Sequence, residues 1–318
     1  MLFFGTTIDG LQMGLCFAVI ALGVYISYSI LDFPDLSVDG TFPLGGVVCT
    51  IFMLKLGLHP ILATFLTFFV GLLAGTVTGL LHVKFKISKL LSGIIVMTAL
   101  LSVNLALTKL LTRNGYTTTI FAYRSENLTG IFDGKLTELF GKGAKDYDIL
   151  AILLFIVIVL KLIVDWFLKT KLGYLLRATG DNEILVISLG RDSGTYKIMG
   201  LALANGFVSV SGALYSQLFM QYDNTSGTGK VVLALASVII GLAVFSGFKH
   251  IKNTTAVIFG AVIYSLCLNY LVLVDTDGIY LKLLNAVLFA LILIFNDKIS
   301  GFVARRSRRE GKTRTPHA

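Results

Sequence analysis

The chain has 318 residues, 55% hydrophobic and only 14% charged, with a mean hydropathy of +0.84. Soluble domains carry charge on about a quarter of their residues, so a water-soluble enzyme is excluded. Thirty-two glycines against four prolines exclude collagen-like and disordered chains, and the apolar residues fall in long blocks, which leaves a polytopic helical membrane protein.

Stretches long enough to cross about 30 Å of hydrocarbon at about 1.5 Å per residue fall at 11–30, 42–58, 61–81, 91–111, 149–168, 199–220, 231–248, 255–274 and 279–295. The expected fold is therefore an all-α bundle of about nine spans, a membrane domain over 1–296 followed by a basic tail at 297–318. The first span has no basic n-region before it, which argues that it is retained and not cleaved as a signal peptide.

Seventeen of the 27 Lys and Arg residues lie in four places: 84–89, 169–197, 249–252 and the tail from Lys298. Short cytoplasmic loops hold the excess of basic residues. Nine spans put all four on one side only with the N-terminus outside and the C-terminus inside. The 113–148 loop, in which acidic residues match basic ones, then lies outside. The net charge of +9 is on this reading a topology signal, and the RRSRREGKTR run is an anchor at anionic lipid and not a nucleic-acid site.

Between the first two spans stands LDFPDLSVDGTFPLGG, which contains Asp32, Asp35 and Asp39 with no Lys or Arg. Only 13 uncharged residues, 42–54, precede Lys55, giving about 20 Å of helix. Short, Gly/Pro-interrupted segments point to a discontinuous helix at a transport path. Three aspartates facing lipid would cost about 10 kcal/mol, which leaves two sites for this break: cytoplasmic water, or a wet cavity inside the protein.

The segment between the fifth and sixth spans, KTKLGYLLRATGDNEILVISLGRDSGTYK, is too polar to cross. Asp181 is the expected N-cap of a short helix over 182–189, with Gly190 its left-handed terminator. The apolar residues Ile184, Leu185, Val186, Ile187 and Leu189 are too many for a free loop, so the helix must dock on the membrane domain, lipid or another protein.

Lesser signals are structural. Gly71, Gly75 and Gly79 recur every four residues and allow close helix approach. Lys161 and Asp165 are spaced to pair. Asn104, Asn205, Asn269 and Asn285 read equally as inter-helix glue and as ligand contacts. Cys16, Cys49 and Cys267 read as small buried hydrophobes, and His59, His82, His250 and His317 as interface residues, so no metal site is expected. GTGKV at 227–231 fails as a phosphate loop because Asn224 and Val231 stand where Gly and Ser/Thr are needed. Any ATPase must be another polypeptide. A faint echo relates GLCFA at 14–18 to GLALA at 200–204, and SVDGT at 37–41 to NTSGT at 224–228, as two related halves would.

In ALGVYISYSILDFPDLSVDGTFPLGG, in LGYLLRATGDNEILVISLGRDSGTYK with the following MGLALANGFVSVSGALYSQ, and in GTGKVVLALASVIIGLAVFSG, the chain resembles permease subunits of ABC importers of the branched-chain amino acid and ribose type. FPDLSVDG is closer to a subgroup resembling tryptophan and tyrosine uptake permeases of Gram-positive bacteria. The resemblance covers roughly 14–46 and 173–247. It implies a bacterial cell-membrane importer of a small solute, an aromatic amino acid in the narrower subgroup. It also implies a cytoplasmic ATPase dimer that binds the ATP, an extracellular substrate-binding lipoprotein and a paired permease. The ATPase-coupling helix falls by this resemblance on 180–190, with Arg177, Gly180, Asp181, Asn182, Leu185, Ile187 and Gly190 as its contact residues. Asp35, Ser37, Asp39, Gly40, Thr41 and Asn205 become the expected path residues.

The rival class is an ion-coupled secondary transporter, which needs ionisable residues deep in its spans. By the span limits above only Lys55, Lys109, Lys161, Asp165 and Lys282 fall within spans, all near their ends.

Overall fold

The computed structural model describes residues 2–111, 119–120, 130–132, 145–245, 248, 251–274, 283, 286–291 and 294. Its helices are α1 (Leu2–Val24), α2 (Val38–Leu56), α3 (Pro60–Val83), α4 (Lys89–Thr108), α5 (Lys145–Phe167), α6 (Lys171–Asp181), α7 (Glu183–Ser188), α8 (Ser193–Leu218), α9 (Lys230–Phe245) and α10 (Asn253–Val274). Eight helices among the described residues are long and apolar enough to cross a membrane, matching the first eight expected spans. Of the ninth, 279–295, only 283, 286–291 and 294 are described, and the tail and most of 113–148 lie outside the described residues.

Local chemistry sets the helix ends. His59 accepts from the Ile61 N–H ahead of Pro60 at the first helical position, Ser88 caps α4, Thr170 caps α6 and Asp192 caps α8 through the N–H groups of Gly194 and Thr195. Gly57, at φ +61°, closes α2 in the left-handed conformation. α1 does not stop at Val24 but widens into a π-helix, Tyr25–Ile30, and Asp32 at φ +52° turns the chain away. Single π turns inside helices concentrate at functional sites.

Lipid tails are as apolar as leucine, so close backbone approach decides which membrane helices pair. The Gly71, Gly75 and Gly79 stripe of α3 lies against Asn205, Leu201 and Ile198 of α8, where any Cβ would collide. On the other side, Gly10 and Gly14 of α1 meet Leu266 and Val262 of α10. Thus α8 packs chiefly on α3 and α1 chiefly on α10, the exchange expected if α1–α2–α3 and α8–α9–α10 are related halves. α1 and α8 form the buried centre, with Phe17, Ile20, Leu22, Leu201 and Leu214 all fully enclosed. α3, α4 and α5 are peripheral and expose Phe65, Leu73, Leu91, Ile95, Phe155 and Trp166.

Basic loops that are distant in sequence gather at one end of the bundle. Gly194 abuts Val83, Gly180 abuts the Ile30 backbone, and Asp165 binds both Lys161 (3.3 Å) and Lys252 (2.9 Å), which extends the expected Lys161–Asp165 pair. At the opposite end, Thr119–Ile120 pairs with Tyr222–Asp223 in a two-stranded antiparallel ladder.

Two sequence expectations are corrected. Cys267 is exposed, not buried, because its face of α10 carries no neighbouring helix among the described residues. Asp181 ends α6 and caps nothing; Asn182, with extended backbone angles, accepts from the Leu185 N–H at 3.2 Å and is the N-cap of α7. Both are capping residue types, and α6 uses the first of them as its last residue. Gly190, at φ +70°, follows the helix as expected.

Candidate functional site

In the aspartate-bearing break Asp32 is exposed and pairs with Lys89 Nζ at 3.2 Å, whereas the part from Asp35 onward is held inside the protein. Asp35 is buried at 4% exposure; one carboxylate oxygen accepts the Ser37 N–H at 2.9 Å, and the other accepts the Asn205 side-chain amide at 2.7 Å. The Asn205 carbonyl oxygen in turn accepts from Thr41 Oγ1 at 2.8 Å and Ser37 Oγ at 3.2 Å, while its amide also donates to the Leu201 carbonyl. Four expected path residues thus form one closed network tying the break to α8. A buried carboxylate with an unmet oxygen would be expensive; Asn205 removes that cost and makes α2 and α8 a single unit at this level.

Asp39 and Gly40, also expected at the path, face other ways. The Gly40 carbonyl accepts from Asn104 on α4 at 3.1 Å, which gives that amide its role as glue. The Asp39 carboxylate spans to the other half and accepts the backbone N–H groups of Gly229 (2.9 Å) and Val231 (2.8 Å). α9 has no capping side chain of its own, and Asp39 supplies one from 190 residues away. A carboxylate at a helix N-terminus meets orphan donors and the positive end of the macrodipole together. The two breaks, 37–41 and 224–228, therefore touch: Gly227 packs against the Asp39 carbonyl and Pro43.

Lys230, the first residue of α9, is the group that sequence reasoning misses. It lies within the span Asn224–Phe245, so the assignment of ionisable residues to span ends alone is corrected. Its Nζ stands 4.1 Å from the Phe17 ring centroid, 5.2 Å from Tyr215 and 5.4 Å from Phe42. Aromatic faces stabilise a cation most where water is scarce, and these three rings come from α1, α8 and α2. The signal present in the sequence is a lysine immediately after a Gly-rich break, a pattern that fits a buried helix start as well as it fits a phosphate loop.

At the basic end, the residues expected to meet an ATPase divide between two helices. Gly173, Leu176 and Thr179 turn the buried side of α6 inward, and Gly180 sits tightly on Ile30. α7 is oriented the other way: Val186 is its buried residue, while Ile184 (79%), Leu185 (51%), Ile187 (56%) and the adjoining Leu189 (66%) are exposed. Glu183 straps α7 to α8 by accepting from Ser193 Oγ at 2.9 Å and Lys197 Nζ at 2.6 Å. Those bonds, Lys197 first, hold the Glu183 carboxyl below its usual range. Among the described residues no three His, Cys, Asp or Glu side chains are placed to hold a metal ion.

Comparison with known proteins identifies the family. The family model for the permease component of the branched-chain amino acid transport system matches residues 6–296. The chain is 37% identical over 286 residues to the tyrosine transport system permease protein of Clostridioides difficile, covering 90% of each. It is 29% identical to an uncharacterized protein of Rickettsia prowazekii, covering 89% of this chain and 95% of that one. It is also 28% identical to the probable branched-chain amino acid transport permease protein LivH of Methanocaldococcus jannaschii, over 74% of this chain and 71% of that one. No solved structure matches. With a family match over nearly its whole length and eight apolar spanning helices, the chain belongs to the branched-chain amino acid transport permease family and is a multi-pass protein of the cell membrane.

Proposed function

We propose that this chain is the membrane subunit of an ATP-driven importer of an aromatic amino acid, tyrosine first among candidates. The substrate assignment is supported by the tyrosine permease relative, 37% identical over 90% of the chain. In this reading the chain has no ATPase site. An ATPase dimer binds the nucleotide, an extracellular lipoprotein delivers the substrate, and two permease copies pair. In the same reading the basic end of the bundle faces the cytoplasm, with the N-terminus outside and the C-terminus inside, a reading supported by the excess of Lys and Arg at that end.

The observation that carries the coupling is the exposed apolar surface of α7 joined by a continuous chain of contacts to the buried break. Glu183 ties α7 to Ser193 and Lys197 in the first turns of α8. The same helix carries Asn205, which holds Asp35, Ser37 and Thr41. A push on α7 by the ATPase thus reaches the point where α2 and α9 begin, and the path opens there as the two halves rock between two arrangements. Leu185 and Ile187 form the docking knob.

Replacing Leu185 and Ile187 with Asp places two charges in the proposed contact, and co-purification with the ATPase should be lost while the membrane subunit remains monodisperse. Retained assembly overturns the docking assignment. Lys230 inside a span is an observation that favours ion-coupled transport. Its ring cage, with Asp39 bound to neighbouring backbone, is better suited to holding the helix start than to shuttling a proton.

A further inference from the structure

A second site lies at the basic end, distinct from the Asp35–Asn205 network. An open cleft of about 520 Å³ is lined by the π-helical end of α1, the end of α5, the start of α10 and one long face of α6. That volume falls in the range of about 300–1,000 Å³ common to small-molecule sites. Tyr174, Arg177 and Asp181 stand at helical spacing along the α6 face, with Lys169, Ser29 and Asn253 around the rim.

Its charges are only partly matched. Lys252 is committed to Asp165, which also binds Lys161 and Thr254. Among the described residues Lys169, Arg177 and Asp181 make no ion pair, leaving two cations against one carboxylate. Along α5, whose end lines the cleft, runs a seam of exposed apolar side chains, Phe155, Val159, Leu162 and Trp166. The same helical spacing brings this seam to Lys169. An indole at this level is typical of the membrane interface.

We infer that this cleft is a binding site for an anionic glycerophospholipid with a hydroxyl-bearing headgroup, of the phosphatidylglycerol class. Arg177 and Lys169 take the phosphodiester, a planar fork and a point charge suited to its oxygens. Asp181, Ser29 and Asn253 meet the headgroup hydroxyls, and the acyl chains lie on the α5 seam. Basic pockets between helices on the cytoplasmic side are the general setting for such lipids. A lipid seated here joins α6 to α1, α5 and α10, and so fixes the base on which the docking helix moves. The inference rests on the membrane reading and is independent of the substrate.

The test is native mass spectrometry of the full-length chain in detergent, titrated separately with dioctanoyl-phosphatidylglycerol, dioctanoyl-phosphatidylcholine, glycerol phosphate and inorganic phosphate. The phosphatidylglycerol should bind about thirtyfold tighter than the phosphatidylcholine, from two basic contacts near the surface. Lys169→Gln with Arg177→Gln should abolish that preference. Trp166→Ser should weaken both lipids and leave glycerol phosphate unchanged. Equal affinity for the two lipids in the unmodified chain overturns the proposal without reference to any variant. Inorganic phosphate bound as tightly as the lipid would assign the cleft to free phosphate and overturn the proposal as well.

Discussion

Removing the Asp39 carboxylate tests whether the two halves are joined where their breaks meet. In Asp39→Ala the N–H groups of Gly229 and Val231, now bonded at 2.9 and 2.8 Å, lose their partner in a crowded site. Hydrogen bonds to a charged group contribute about 1.5–3 kcal/mol each, and a carboxylate at a helix N-terminus adds up to about 2 kcal/mol. Because these are shared by one group and not additive, about 3–5 kcal/mol is expected for Ala. Asp39→Asn keeps one acceptor and loses the charge, so about half that loss is expected. Denaturant unfolding of the purified chain in detergent gives the total, and amide exchange locates it, since Gly229, Val231 and the first turn of α9 should exchange faster while α3 and α4 do not. An Asp39→Ala chain within about 0.5 kcal/mol of the parent, with unchanged exchange at Gly229, would refute the cross-half cap.

The other predictions concern the Asn205 network and the α7 strap. Asn205→Leu leaves Asp35 without its amide donor and the Thr41 and Ser37 hydroxyls without their shared acceptor, a loss of about 3–5 kcal/mol in the range for breaking a buried polar network. Asn205→Asp should be at least as damaging, since it sets two carboxylates together; equal stability of Asn205→Leu and the parent would refute the network. The Glu183 carboxyl is held below its ordinary value of 4.5 by Lys197 and then Ser193. The strap's stabilisation is therefore fully present above about 4.5 and is lost as pH falls through the lowered folded value. Limited proteolysis at Arg191 should accelerate across that acid window in the parent, and Glu183→Gln should cleave at a rate that does not change with pH there; identical acid profiles would contradict the strap.

The spans are legible because a long apolar block has one solution in a bilayer, helix with every backbone group bonded internally. The Gly71, Gly75 and Gly79 stripe is legible for a related reason, since only close approach explains small residues at that period. The break stands out by its aspartates and lack of basic residues, but its partners do not, because Asp35 and Asn205 are 170 residues apart and Asp39 and Gly229 are 190 apart. The echo between SVDGT and NTSGT marks the two segments that touch without saying that they touch. α6 is hidden for a different reason: Lys171, Arg177 and Asp181 interrupt its apolar residues, so a short helix with one buried side has the composition of a loop. Lys230 escapes notice because its cage is assembled from Phe17, Phe42 and Tyr215, none of them near it in sequence.

The most direct measurement is uptake of labelled tyrosine into proteoliposomes holding this chain with its ATPase and binding protein. Uptake should require ATP on the side of α7, persist when ion gradients are collapsed, and vanish when Leu185 and Ile187 are replaced with Asp. Tyrosine accumulation driven by an ion gradient in liposomes containing this chain alone would contradict the account.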